Sequence, residues 1–185
     1  MPSITKNQIQ IRTNLLTSFM LVVATSAIAQ EFPSPERLLN KVVGGVWVST
    51  NEKNANGPED FKTFFMSFDS WGDRESATGN IFGITNAGDT TQLMEVWNFV
   101  DKANKNVFLV QRDAWGGKSI GAITPHEGQH LDIQFKTTLA DGRSYYTRDI
   151  HYFEDENKIK AVTYHKSKEV DEWKESGTSL WIRRN

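Results

Sequence analysis

Residues 129–166 constrain the fold more than any other part of the chain. They hold three strand-length segments joined by two turns, and both turns select the same alternate residues for one face. Asp141-Gly142 reads as a two-residue hairpin turn, since Asp-Gly accepts the positive φ angles of type I′ geometry. Closing there pairs Ala140 with Arg143, and so sets Phe135 opposite Arg148 and Ile133 opposite Ile150. A second turn at Asp155-Glu156 sets Tyr152 opposite Ile159 and Ile150 opposite Ala161. The inner face then carries Leu131, Ile133, Phe135, Tyr146, Arg148, Ile150, Tyr152, Ile159, Ala161 and, near its end, His165. The outer face carries His130, Asp132, Gln134, Lys136, Asp149, His151, Lys158 and Lys160. A slip of one residue would exchange the faces, so a single register is expected. An arginine and a histidine among oily residues describe the wall of a cavity.

The rest of the chain from Gly45 onward follows the same pattern. Turn signals recur at Gly72-Asp73, Asn86 to Asp89, Asp101 to Lys105, Trp115 to Gly117, His126 to Gly128, Asp141-Gly142 and Asp155-Glu156. Their spacing of roughly 10–16 residues predicts about eight to ten strands joined by short links. A meander of that length splits into a sandwich or closes into a barrel. Ahead of it, Ser34-Pro35-Glu36 supplies an N-cap, a first-turn proline and a first-turn acid. A short helix is expected there, with Leu38, Leu39, Val42 and Val43 as its apolar stripe and Gly44-Gly45 as its stop.

The same hairpin arithmetic applies upstream. A turn at Ala87-Gly88 pairs Phe82 with Leu93 and Asn80 with Glu95, which gathers Phe82, Ile84, Leu93, Trp97 and Phe99 on one face, with Glu95 among them. Across the 102–104 loop that face continues to Val107, Leu109 and Gln111.

Met1 to Asn14 carries Lys6 and Arg12 and no acid, Leu15 to Ala27 is mostly apolar, and Ala27-Ile28-Ala29 is a small-x-small cleavage signal. This is the layout of a signal peptide cut before Gln30, and it predicts a periplasmic or secreted protein. The apolar run is too short for a transmembrane span. Residues 30–185 suit one domain. Without Lys6 and Arg12 the 21 basic residues become 19 against 23 acidic, a net charge of −4. That balance argues against nucleic acid or an anionic membrane as partner. With no cysteine, an exported domain must be held by its core alone, and six tryptophans and ten of the eleven phenylalanines supply one.

A short helix leading into Gly45-x-Trp47, a long antiparallel meander and a closing Trp181-Ile182-Arg183-Arg184 together resemble the calycin superfamily, the lipocalins and their bacterial barrel relatives. The resemblance implies an up-and-down antiparallel β-barrel whose Trp47 packs at the closed end, with Arg183 or Arg184 stacked on it. The other lipocalin loop motifs and cysteines are absent. The strand number leans toward the fatty-acid-binding and nitrobindin-like branches and toward uncharacterised secreted lipocalin-like bacterial proteins.

These readings set the expected chemistry. A guanidinium on an apolar face needs an anion, because burying it unpaired costs several kcal/mol. Arg148 is therefore expected to hold either a ligand's anionic end, helped by Tyr146, or the carboxylate of Glu95. Tyr146-x-Arg148 resembles in reverse the arginine-x-tyrosine pair of the fatty-acid-binding branch. The expected function is binding of a small, largely apolar molecule with a polar or anionic end. Its lining would include Arg148, Tyr146, Tyr152, Glu95, Trp97, Gln111, Phe135 and His165. One alternative is an isomerase or hydrolase in which Glu95 and His165 or Tyr146 act as acid and base. The other, implied by the nitrobindin-like resemblance, is haem binding through His165. No nucleophile elbow, phosphate loop or metal-ligand spacing is present.

Overall fold

A computed structural model of the protein describes residues 34–50, 61–72, 75–126 and 130–184. The expected signal peptide and its cleavage before Gln30, together with the Glu127-Gly128 part of one turn, lie outside the described residues. Within the unit Phe32–Asn185, one helix precedes ten antiparallel strands that close into a barrel in meander order, the last strand pairing with the first. The turn spacing left a sandwich or a barrel open, and the fold observed is the all-β up-and-down barrel that the calycin resemblance implied. The elements are α1 (Pro35–Val42), β1 (Val46–Thr50), β2 (Phe61–Trp71), β3 (Ser76–Thr85), β4 (Thr90–Asp101), β5 (Asn106–Asp113), β6 (Lys118–His126), β7 (His130–Thr138), β8 (Ser144–Asp155), β9 (Lys158–Lys166) and β10 (Lys174–Arg184). No helix among the described residues is long and apolar enough to cross a membrane.

Helix α1 starts and stops where its sequence dictates. The Ser34 side chain accepts a hydrogen bond from the Arg37 amide at 3.4 Å, and Pro35 fills the first turn, where no amide hydrogen is needed. Gly44 and Gly45 follow with φ of +82° and +71°, a conformation that ends the helix and turns the chain into β1. Leu39, 2% exposed, packs with Ala77 and Val107 and so covers one end of the barrel.

Three hairpins share one loop design. Thr85 and Asp89, Asp113 and Gly117, and Leu139 and Arg143 each close a three-residue loop through backbone hydrogen bonds. In each, the third loop residue is a glycine with positive φ: Gly88 at +97°, Gly116 at +87° and Gly142 at +85°. This is the type I turn with a left-handed glycine, the usual form of a three-residue connection. Asp141 keeps a negative φ, so the type I′ turn expected for Asp141-Gly142 is not formed.

That one-residue difference corrects the expected register. Phe135 lies opposite Thr147 and not Arg148, and Ile133 lies opposite Asp149. The next hairpin differs too: Asp155 pairs with Lys158 around Glu156-Asn157, and an irregularity between Phe153 and Asp155 adds a residue to β8. The two shifts add to two residues between β7 and β9, which aligns Phe135 with His165 and not Thr163 and leaves the faces of both strands unchanged. Strands β7 and β9 keep their expected faces, while β8 alone is turned over. Its inward residues are Tyr145, Thr147, Asp149, His151 and Phe153, and its outward ones Tyr146, Arg148, Ile150 and Tyr152. Any one-residue change of register must do this to the strand between two hairpins.

Strand β4 is corrected in the same way. Phe82 pairs with Gln92 and Ile81 with Met94, so Leu93 is the extra residue of a bulge. Asn80 does lie opposite Glu95 as expected, but both face outward. Val96 and Asn98, each 2% exposed, are the inward residues. The loop after Asp101 has four residues, closing on Asn106, which restores Val107, Leu109 and Gln111 to the interior. Several outward positions of β4 to β6 are apolar as well, with Phe99 against Phe108 and Ile120 beyond them.

Candidate functional site: a polar cavity inside the barrel

The described interior is not packed solid. Inside the barrel lies a cavity of about 190 Å³, lined from each of β2 to β10 and walled by Met66, Phe68, Ile81, Val96, Leu109, Ile123, Ile133, Phe135, Ala161 and Trp181. Six polar residues share that wall: Asn98, Gln111, Asp149, His151, Thr163 and Ser179. Cross-strand register explains their grouping. Gln111 lies opposite Val96 and Asn98 opposite Leu109 on β4 and β5. Asp149 lies opposite Thr163 and His151 opposite Ala161 on β8 and β9. A smaller apolar void of about 60 Å³ lies toward α1, and Asn98 and His151 border both spaces.

The electrostatics of this wall are unusual for a barrel interior. Asn98 Oδ1, Gln111 Oε1 and Asp149 Oδ1 are buried with no hydrogen-bond partner among the described residues. Each such atom costs about 1–3 kcal/mol when left unpaired. Burial pushes the pKa of His151 below its ordinary value, and the negative charge of Asp149 opposes that shift without overcoming it. The imidazole is therefore neutral at pH 7 and offers one N–H donor and one acceptor. Trp181 donates its indole N–H to the Ser179 hydroxyl at 3.0 Å, which fixes one edge of the cavity.

The α1 end is sealed. Trp47 is fully buried and donates its indole N–H to the Val42 carbonyl at 3.1 Å. The Arg183 guanidinium lies 4.4 Å above the Trp47 ring and also donates to the Lys41 carbonyl. A Cβ at Gly45 would meet Arg183 Cγ at 3.1 Å in a left-handed backbone, so glycine lets the arginine lie there without displacement. Of the two arginines that the sequence offered, Arg183 is the one stacked on the tryptophan.

The remaining expected site residues divide between the two faces. Gln111 and Phe135 line the cavity. Arg148 does not: on the outer face it donates Nε–H to both Asp132 oxygens at 3.0 Å and Nη2–H to Oδ2 at 2.6 Å. Asp132, expected as an ordinary solvated residue, is only 4% exposed, held also by the Gln134 amide. Tyr146 and Tyr152 face outward beside it, Tyr152 being 40% exposed and tilted against His130. Glu95 is outward and paired with Arg112 at 2.8 Å, not with Arg148. Trp97 is outward, opposite Val110. With Glu95 and Tyr146 outside, the acid–base pair expected of an enzyme does not assemble.

His165 keeps its inward position but lies at the end of the barrel away from α1, exposed, with its ring edge-on to Tyr145 at 5.8 Å. It lines neither the cavity of about 190 Å³ nor the smaller void toward α1.

Sequence reasoning missed Asn98, Asp149 and His151. A signal for two of them exists: Asp149-x-His151 alternates with Tyr145, Thr147 and Phe153, a face that is apolar at both ends.

No protein-family model matches the chain, and no curated protein matches it. Among solved structures, the crystal structure of Rv2717c from M. tuberculosis is similar, with a TM-score of 0.55 at 14% sequence identity. The match covers 82% of this chain and 99% of that one. At that identity the likeness is one of fold alone.

Proposed function

We propose that this protein is a calycin-type barrel that takes one small, largely apolar molecule into its interior, with a polar end directed at the buried polar wall. The observation that carries the reading is the set of unpaired oxygens of Asn98, Gln111 and Asp149 facing a largely apolar cavity. A fold stabilised only by its core gains nothing from such a set, because apolar residues of the same size would remove the cost of the unpaired atoms. A ligand's polar group recovers that cost on binding. The volume of about 190 Å³ sets the size, since a cavity of about 150 Å³ holds one benzene ring. A single ring with a short substituent is the expected scale, and a long fatty acid exceeds it. The layout of residues 1–29 supports export of the protein, so the ligand would be met in the periplasm or outside the cell.

Calorimetric titration with toluene and benzyl alcohol tests this reading. At least one binds the wild type, and Ala161→Leu, which fills the cavity from β9, weakens that binding at least tenfold. Binding indifferent to Ala161→Leu overturns it, as does failure of these two probes together with their charged analogues benzylamine and benzoate.

A further inference from the structure

We infer that the polar end of the ligand is a hydrogen-bond donor, best supplied by a protonated amine, and not a carboxylate; this rests on the binding function proposed above and names its ligand class. All three buried unpaired atoms of the cavity wall are oxygens: Asn98 Oδ1, Gln111 Oε1 and Asp149 Oδ1. The two amides can turn end for end and present N–H groups in place of their carbonyls, but a carboxylate oxygen has only acceptor character. Asp149 therefore sets the sign. A ligand carboxylate would be desolvated beside it with no cation to offset the repulsion, as no lysine or arginine lines the described cavity. His151 is the one lining residue that could become cationic, and its burial keeps it neutral at pH 7. An ammonium meets the reverse situation. It loses its hydration shell, and Asp149 returns a charge-assisted hydrogen bond in a low-dielectric site. The amide oxygens of Asn98 and Gln111 are additional acceptors on the same wall. The apolar remainder of the cavity, including Ile133, Phe135 and Trp181, then holds the ligand's ring.

Four probes of nearly equal size separate the possibilities: benzylamine, benzyl alcohol, toluene and benzoate, each titrated into the full protein at pH 7. Benzylamine is expected to bind at least tenfold more tightly than benzoate, with benzyl alcohol between them. Asp149→Asn should weaken benzylamine at least tenfold and change toluene by less than threefold. The wild-type comparison needs no variant and stands even if Asp149→Asn fails to fold. Benzoate binding as tightly as benzylamine overturns the inference, as does binding of toluene and benzyl alcohol without benzylamine. Both of those results leave the binding function in place. Failure of all four probes overturns the binding function itself, and the inference with it.

Discussion

Replacing Arg148 by methionine discriminates sharply between an inward and an outward β8. On the outer face, Arg148 holds Asp132 with three short hydrogen-bond contacts. The aspartate side chain is 5% exposed and that of the arginine 32%. Removing one partner of a fully buried ion pair costs about 3–5 kcal/mol, because a charge is left uncompensated. Here the arginine is a third exposed, and Asp132 keeps the Gln134 amide at 3.1 Å from each oxygen. The expected loss is therefore reduced to about 2–3 kcal/mol. For a domain of this size that lowers Tm by about 5–10 °C, at about 2–4 °C per kcal/mol. Urea unfolding followed by tryptophan fluorescence measures the loss. Adding Asp132→Asn should recover most of it, since the double variant leaves no unpaired buried charge. Affinity for a cavity probe such as benzyl alcohol should stay within twofold of wild type. A loss below about 0.5 kcal/mol, the scale of an inert surface change, together with weakened probe binding, would refute the outward placement.

Other consequences follow from individual contacts. Because burial lowers the His151 pKa, the unfolded chain takes up that proton first as pH falls. The stability this residue contributes is complete above the unfolded value of 6.5 and is lost as pH falls from there toward the folded pKa, at up to about 1.4 kcal/mol per pH unit. Denaturation midpoints from pH 7.5 to 5 should show that slope, and His151→Leu should flatten it. Gly45→Ala places a Cβ in a left-handed backbone 3.1 Å from Arg183 Cγ, whereas Gly88→Ala meets nothing within 4 Å. Thermal denaturation should therefore show about 1–2 kcal/mol of loss at Gly88, from backbone strain alone, and more at Gly45. N-terminal sequencing of the exported protein should begin at Gln30, and retention of residues 1–29 would contradict export by cleavage.

Strand number, meander order, the helix and its cap were legible in the sequence because each rests on local chemistry: alternation, turn residues, and a Ser-Pro-Glu start. The stack on Trp47 was legible only through the lipocalin resemblance, which left Arg183 and Arg184 open; the pairing of Trp47 with Arg183 on β1 and β10 decides between them. What failed was the register of hairpins one residue longer than assumed. Asp141-Gly142 suits both a two-residue and a three-residue loop, and the two choices turn β8 over. The mistaken choice looked right for a physical reason. The outward residues Tyr146, Ile150 and Tyr152 are oilier than the inward Thr147, Asp149 and His151, since a ring-lined outer wall and a polar cavity reverse the usual contrast. On β4 the same reversal hid Asn98 behind Trp97 and Phe99. The residues that mislead a reading of faces are those that give the cavity its chemistry.

Isotope-filtered NOE spectroscopy on methyl-labelled protein, with benzyl alcohol bound, locates the ligand relative to the two faces of the sheet. Two isoleucines on neighbouring strands report opposite faces: Ile133 lines the cavity on β7, and Ile150 lies on the outward face of β8. With the ligand in the cavity, NOEs run from its ring to the methyls of Ile133, Ile123 and Leu109, and none reach Ile150 or Ile120. Ligand contacts to the Ile150 methyl without contacts to Ile133 would contradict that placement.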